Sequence, residues 1–268
     1  MSMKTKNGSA ILILTNRCQR SILKFLDSFK GCGIENSDIF ILFHQSNNKS
    51  ENLSLFDGQP VQFFNDSILT EMGFRPLGDS LLPGNNHFPV LKFSQEFSYD
   101  YYWCIEDDVR FNGLWSAFFS HFSHSADSSD FISSYIRDYD EHPYWHWWNY
   151  FGKEDVTLST SLLVRSFNPI YRISKKAIDY LYEQLLSGWY GHHEVLMPTL
   201  LKLGDFIISD FGGSGKYVAD RNKNKLYSTG SEYPHGFIYE GSMRYRPVIN
   251  RAEMTKAFLY HPVKLEFS

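Results

Sequence analysis

Apolar and polar positions alternate along this chain in blocks that predict strands and helices in turn. Residues 10–15 form a continuous apolar run that ends at Asn16-Arg17, the pattern of a strand buried on both faces. Residues 18–30 follow with Ile22, Leu26 and Phe29 at helical spacing, and Gly31 and Gly33 stop them. Residues 38–44 are a second buried run, so the chain opens strand–helix–strand, as α/β domains do. Residues 61–64 read as a third strand. Residues 84–98 read as a helix entered through Asn85, Asn86 and Pro89, and 101–105 as the next central strand. In the second half, 115–122 predicts a short amphipathic helix and 131–136 a strand. Residues 162–173 give strand-like runs around Asn168-Pro169. Residues 174–186 predict a helix with Ser174 as N-cap, 193–203 a helix ended by Gly204, and 206–209 a strand. The segment 142–151 is aromatic and irregular. Residues 212–241, rich in Gly, Ser, Asn and Lys, read as a mobile loop, with order returning near 258–265.

Composition narrows the class. The 268 residues suffice for one large domain or two small ones, and no internal boundary is visible, so a single domain is expected. With 43% hydrophobic and 21% charged residues, an ordinary globular core is expected. A net charge of −4 argues against general nucleic-acid binding, which needs a basic face. The three cysteines, Cys18, Cys32 and Cys104, match no zinc spacing and read as thiols of a reducing compartment. The apolar run at 10–14 is too short for a signal core or a membrane span. The expectation is a soluble cytoplasmic protein, with peripheral association at the inner face of the membrane left open.

The chemistry concentrates at Tyr101-Tyr102-Trp103-Cys104-Ile105-Glu106-Asp107-Asp108, where an apolar run ends in three consecutive carboxylates. Such acids repel one another, and a hard divalent cation shared with substrate phosphates is a common way to offset that. In open α/β sheets, ligands bind beyond the carboxyl ends of the strands. Thr15-Asn16-Arg17 and His44-Gln45-Ser46 also follow predicted strands, either as ordinary loops or as parts of the same binding edge. His192-His193-Glu194 stands directly before a helix. Glu194 there serves either as a cap favoured by the helix dipole or as a general base aimed into a cleft. His261, after the long loop, is either structural or returns to the site. Tyr144-Trp145-His146-Trp147-Trp148 is either a sugar-stacking platform or core. Gly212-Gly213-Ser214-Gly215-Lys216 lacks the spacing of a phosphate loop, although Lys216, Arg221, Lys223 and Lys225 are candidates to meet a diphosphate.

In this order the pieces resemble a GT-A glycosyltransferase. Glu106-Asp107-Asp108 stands where that fold carries its acid triplet, the DxD motif, Glu194 where an acid opens an acceptor-side helix, and His261 where a C-terminal His often binds metal. Ile105-Glu106-Asp107-Asp108-Val109 resembles the Glu-Asp-Asp form of some inverting N-acetylglucosaminyltransferases. His193-Glu194 departs from the usual Glu-Asp pair. The resemblance implies a Rossmann-like, mostly parallel mixed sheet and a Mn²⁺ or Mg²⁺ held by Asp108 and His261. Thr15, Asn16, Arg17, His44, Glu106 and Asp107 would bind a nucleotide-diphosphate sugar donor, a UDP-sugar first among them. Glu194 would be the catalytic base, and Trp145, Trp148, His192 and His193 would line the site of a glycan or lipid-linked acceptor. The implied setting is synthesis of a bacterial-type surface polysaccharide or lipopolysaccharide. Two other classes compete. A sugar-phosphate nucleotidyltransferase would carry a Gly-rich loop after the first strand, where Thr15-Asn16-Arg17-Cys18 has none. A non-catalytic carbohydrate-binding protein would not need three acids at a strand end.

Overall fold

A computed structural model of the chain describes residues 4–30, 37–45, 53–123 and 126–264. Gly31, Cys32, Gly33 and Ser46 lie outside the described residues. Strand β1 (Lys4–Thr15) leads through helix α1 (Arg20–Asp27) to β2 (Ser37–His44), and β3 (Val61–Phe64) pairs beside it. Helices α2 (Ile68–Glu71) and α3 (His87–Glu96) precede the central strand β4 (Phe97–Glu106), and α4 (Trp115–His121) follows it. The second half adds β5 (Phe131–Asp138), β6 (Val164–Ser174), α5 (Lys175–Leu186), α6 (His193–Leu203) and β7 (Ile208–Asp210). Seven strands form one sheet in the order β3-β2-β1-β4-β6-β5-β7. Only β6 runs antiparallel to its neighbours. This is the mostly parallel, mixed α/β sheet expected from the sequence.

The continuous apolar runs arise because both faces of the sheet are covered. Along β4, Tyr102 and Cys104 point into a core closed by Phe88 and Phe93 of α3, Ile178 of α5 and Leu200 of α6. Trp103 and Ile105 point the other way, against Phe25 of α1 and Phe118 and Phe119 of α4. The strand ends at Glu106, and a turn carries Asp107 and Asp108.

β6 is one strand where the sequence suggested separate runs. Its pairing with β5 shifts register around Asn168-Pro169, where proline offers no N–H to the ladder. Ser133 Oγ fills the gap with hydrogen bonds to the Phe167 carbonyl and Asn168 Oδ1. The strand expected at 206–209 begins later, at Ile208, because the Phe206 N–H donates to the Leu201 carbonyl and closes the end of α6. Within 212–241, Tyr227 donates to Asp210 and Glu232 pairs with Arg137. No helix among the described residues is long and apolar enough to cross a membrane.

The entry to α6 depends on Gly191. It pairs with Phe151 in a two-residue ladder and has φ +150°. A Cβ there would lie 2.5 Å from the Tyr150 carbonyl oxygen and 2.8 Å from Phe151 Cα. Gly191→Ala is expected to destabilise the fold by about 1–3 kcal/mol through this clash and backbone strain. The change would be read as a lower urea midpoint at constant slope; an unchanged midpoint would show that the entry to α6 can adjust.

Candidate active site

The acids sit where β1 and β4 end together. Leu14 is in register with Glu106, which brings Thr15 level with Asp107. Thr15 Oγ1 donates to Asp107 and accepts from the Arg17 N–H at 3.0 Å. The Arg17 guanidinium lies 3.4 Å from Asp107 and 3.9 Å from Asp108. Burial pushes the Asp107 carboxyl up to about 6, against the opposing pull of Thr15 and Arg17. Glu106, on the other side, accepts from Asn86 Nδ2 at 3.1 Å, just before α3.

His261 returns to this edge from the C-terminal region. The strand Leu259–Tyr260 pairs antiparallel with Arg110–Phe111, immediately after the acids, and the Val263 N–H donates to the Asp108 carbonyl at 2.8 Å. His261 Nδ1 donates to the Arg244 carbonyl at 2.9 Å, which aims Nε2 at the carboxylates. Nε2 is 3.5 Å from Glu106 and 3.3 Å from Asp108. Burial opposes charge on this imidazole, but Asp108 and Glu106 outweigh it and hold its pKa up at about 10.

Ligand atoms of Glu106, Asp108 and His261 all lie within 4.8 Å of one another. Two carboxylates and one imidazole form a donor set that suits Mn²⁺ or Mg²⁺. Glu106, expected among the donor-binding residues, lies beside Asp108 and His261. A turn closed by the Val109 N–H on the Glu106 carbonyl at 3.1 Å follows the strand, with Asp107 turned to Thr15 and Arg17 and Asp108 to His261.

Two cavities meet at Glu106 and Asp108. The smaller, about 260 Å³, is lined by Thr15, Asn16, Arg17, His44 and Asp107. His44 is held there by Asp66 at 3.1 Å and stacks on Phe64. The larger, about 560 Å³, is walled by Glu194, His192, His193, Trp145, Trp147 and Arg165. Glu194 accepts from the Asn168 N–H at 3.3 Å. Burial pushes its carboxyl up to about 7, although Arg165 and that N–H pull it down. The capping that the sequence offered as a role for Glu194 belongs to His192, whose Nδ1 accepts from the Glu194 N–H at 3.3 Å. His193 packs parallel to His87 at 6.4 Å, and burial lowers its pKa to about 3, so it is neutral.

The aromatic segment divides. Trp145 and Trp148 share one buried apolar cluster, but only Trp145 also lines the larger cavity, while Trp148 donates Nε1 to the His142 carbonyl at 2.8 Å. Trp147, not singled out for the site, lines the cavity and stacks on His192 at 4.2 Å. The basic residues of the loop lie elsewhere. Lys216 pairs with Asp138, Arg221 is 3.8 Å from Asp127, and Lys223 is 2.7 Å from Asp220. Neither these three nor Lys225 lines either cavity. Sequence reasoning missed Asn168 and Arg165 as site residues. An arginine inside the apolar run at 162–173 was the visible signal for the second.

No protein-family model matches the chain, and no curated protein matches it in sequence. Among solved structures, it is similar to glucosyl-3-phosphoglycerate synthase from Mycobacterium tuberculosis in complex with Mn²⁺, UDP-glucose and phosphoglyceric acid. That match has 14% identity, covers 76% of this chain and 68% of the other, and has a TM-score of 0.43. A galactosyltransferase with donor and acceptor sugar analogues matches at 10% identity over 80% and 82% of the two chains, TM-score 0.42. CMP:2-keto-3-deoxy-manno-octonic acid synthetase complexed with CTP matches at 8% identity over 79% and 93%, TM-score 0.42. At these values nothing about substrate or mechanism passes from them to this chain.

His261 must lose a proton to bind a cation, so Mn²⁺ affinity is expected to rise by about tenfold per pH unit between about pH 6 and 8. His261→Gln should flatten that slope, and Asp108→Ala should abolish Mn²⁺ binding. Calorimetry reads all three outcomes; a pH-independent affinity in the unaltered protein would remove His261 from the ligand set.

Proposed function

We propose that this chain is a metal-dependent glycosyltransferase, moving a sugar from a nucleotide-diphosphate donor to a hydroxyl of a glycan or lipid-linked acceptor, with inversion. The observation that carries this is the meeting of the two cavities at Glu106 and Asp108, with His261 beside them and Glu194 on the wall of the larger one. The smaller cavity, built wholly from the first half of the chain, suits the nucleotide. His44, Phe64 and Asn16 line it, and Arg17 supplies positive charge near Asp107 and Asp108. The larger cavity draws on both halves and has room for the transferred sugar and the acceptor.

A divalent cation held by Glu106, Asp108 and His261 would offset charge on the leaving diphosphate. Asn86 and His261 orient Glu106, and Thr15 with Arg17 holds Asp107 as a support beneath the donor. Glu194 Oε takes the proton of the acceptor hydroxyl. That oxygen bonds to the anomeric carbon as the bond to the diphosphate oxygen breaks, and the electron pair leaves with the diphosphate. A carboxyl brought to about 7 by burial suits a base working near neutral pH. Neutral His192 and His193 offer hydrogen bonds to a sugar, and the half-buried Trp147 beside them offers an apolar contact.

Two measurements test this. Glu194→Gln is expected to keep Mn²⁺-dependent UDP binding and to lower turnover by about 10²–10⁴-fold. In the unaltered enzyme, kcat/KM should fall as pH drops below about 7, because Glu194 then carries the proton. Near-normal turnover in Glu194→Gln would exclude it as the base. Binding of free glycans with no affinity for any nucleoside diphosphate would replace the enzyme with a binding module.

A further inference from the structure

Arg165 is a charged wall residue of the larger cavity to which the proposed reaction assigns no task. It is the second residue of β6 and only 2% exposed. Its guanidinium lies over the Trp145 ring at 3.9 Å, and Nη1 donates to the Gly236 carbonyl at 2.5 Å. Nε has no partner. The two other fully buried arginines have carboxylates within 4 Å: Arg137 pairs with Glu232 and Glu141, while Arg172 donates to three carbonyls and lies 3.8 Å from Asp127, although its Nε also has no partner. Arg165 forms no ion pair with a carboxylate of the described residues. Glu194 acts on it only through space, with no ion pair formed, so the guanidinium is costly to bury and a ligand anion in the cavity would offset that cost.

The arrangement also fixes the guanidinium plane. Trp145 holds one face, and Gly236, at φ +68°, brings its carbonyl up to one nitrogen; a Cβ at 236 would sit 2.3 Å from Nη1. An immobilised planar fork is suited to oxyanions. Arg165 and Glu194 both line the larger cavity, and neither lines the smaller one in which the nucleotide is placed. Building on the transferase reading above, we propose that Arg165 anchors an oxyanion on the acceptor, a sugar carboxylate or a sugar phosphate.

Calorimetry with glucuronate, glucose 6-phosphate and glucose, each with and without Mn²⁺ and UDP, tests this. At least one anionic sugar should bind about tenfold or more tightly than glucose, and the two anions distinguish carboxylate from phosphate. Arg165→Gln should abolish the preference while leaving Mn²⁺-dependent UDP binding intact. Equal binding of neutral and anionic sugars by the unaltered protein, no binding of either anion, or a preference that survives in Arg165→Gln would overturn it. The comparison in the unaltered protein decides the matter even if Arg165→Gln fails to fold. Absence of UDP binding would count against the transferase reading, and the anion preference measured without UDP is read independently of it.

Discussion

Three adjacent carboxylates at the end of a buried strand form the constraint around which the site is organised. Two unit charges about 4 Å apart near a protein surface repel by about 4 kcal/mol, so the triplet has to be compensated from outside its own strand. The fold does this from two directions. Thr15 and Arg17, at the end of β1, compensate Asp107; Asn86 and His261 compensate Glu106 and Asp108. The β1–β4 register, the approach to α3 and the return of the C-terminal segment all converge on these few atoms.

The same compensation separates roles that look alike in sequence. Asp107 is internal and hydrogen-bonded, its charge opposed by burial. Glu106 and Asp108 face the junction of the cavities with an imidazole between them. Glu194 lies farther along the wall, its pKa raised to about 7 because burial outweighs Arg165. One cleft thus holds ionised acids suited to a cation beside an acid poised to exchange a proton, and their environments rather than their side chains set the difference.

Much of this was legible in the chain. The apolar runs of β1, β2 and β4 and the helical spacing of Ile22, Leu26 and Phe29 place the triplet at a sheet edge without further help. His193–Leu203 was visible as a helix, and so was its acid in the first turn. The aromatic segment was not resolvable, because Trp145, Trp147 and Trp148 differ only in the direction imposed by an irregular turn. The lysines of the long loop looked available for phosphate until Asp138 and Asp220 took up two of them.

By itself the sequence determined the strand–helix order, the two-sided burial of the sheet and the position of three acids where strands end. Those follow from local periodicity and from the cost of burying polar residues. Tertiary structure alone decided that Glu106 rather than Asp107 joins Asp108 and His261, that His192 rather than Glu194 caps α6, and that Arg165 is buried without a carboxylate partner. Each of these depends on contacts between segments far apart in the chain, and such distances leave no period in the sequence to read.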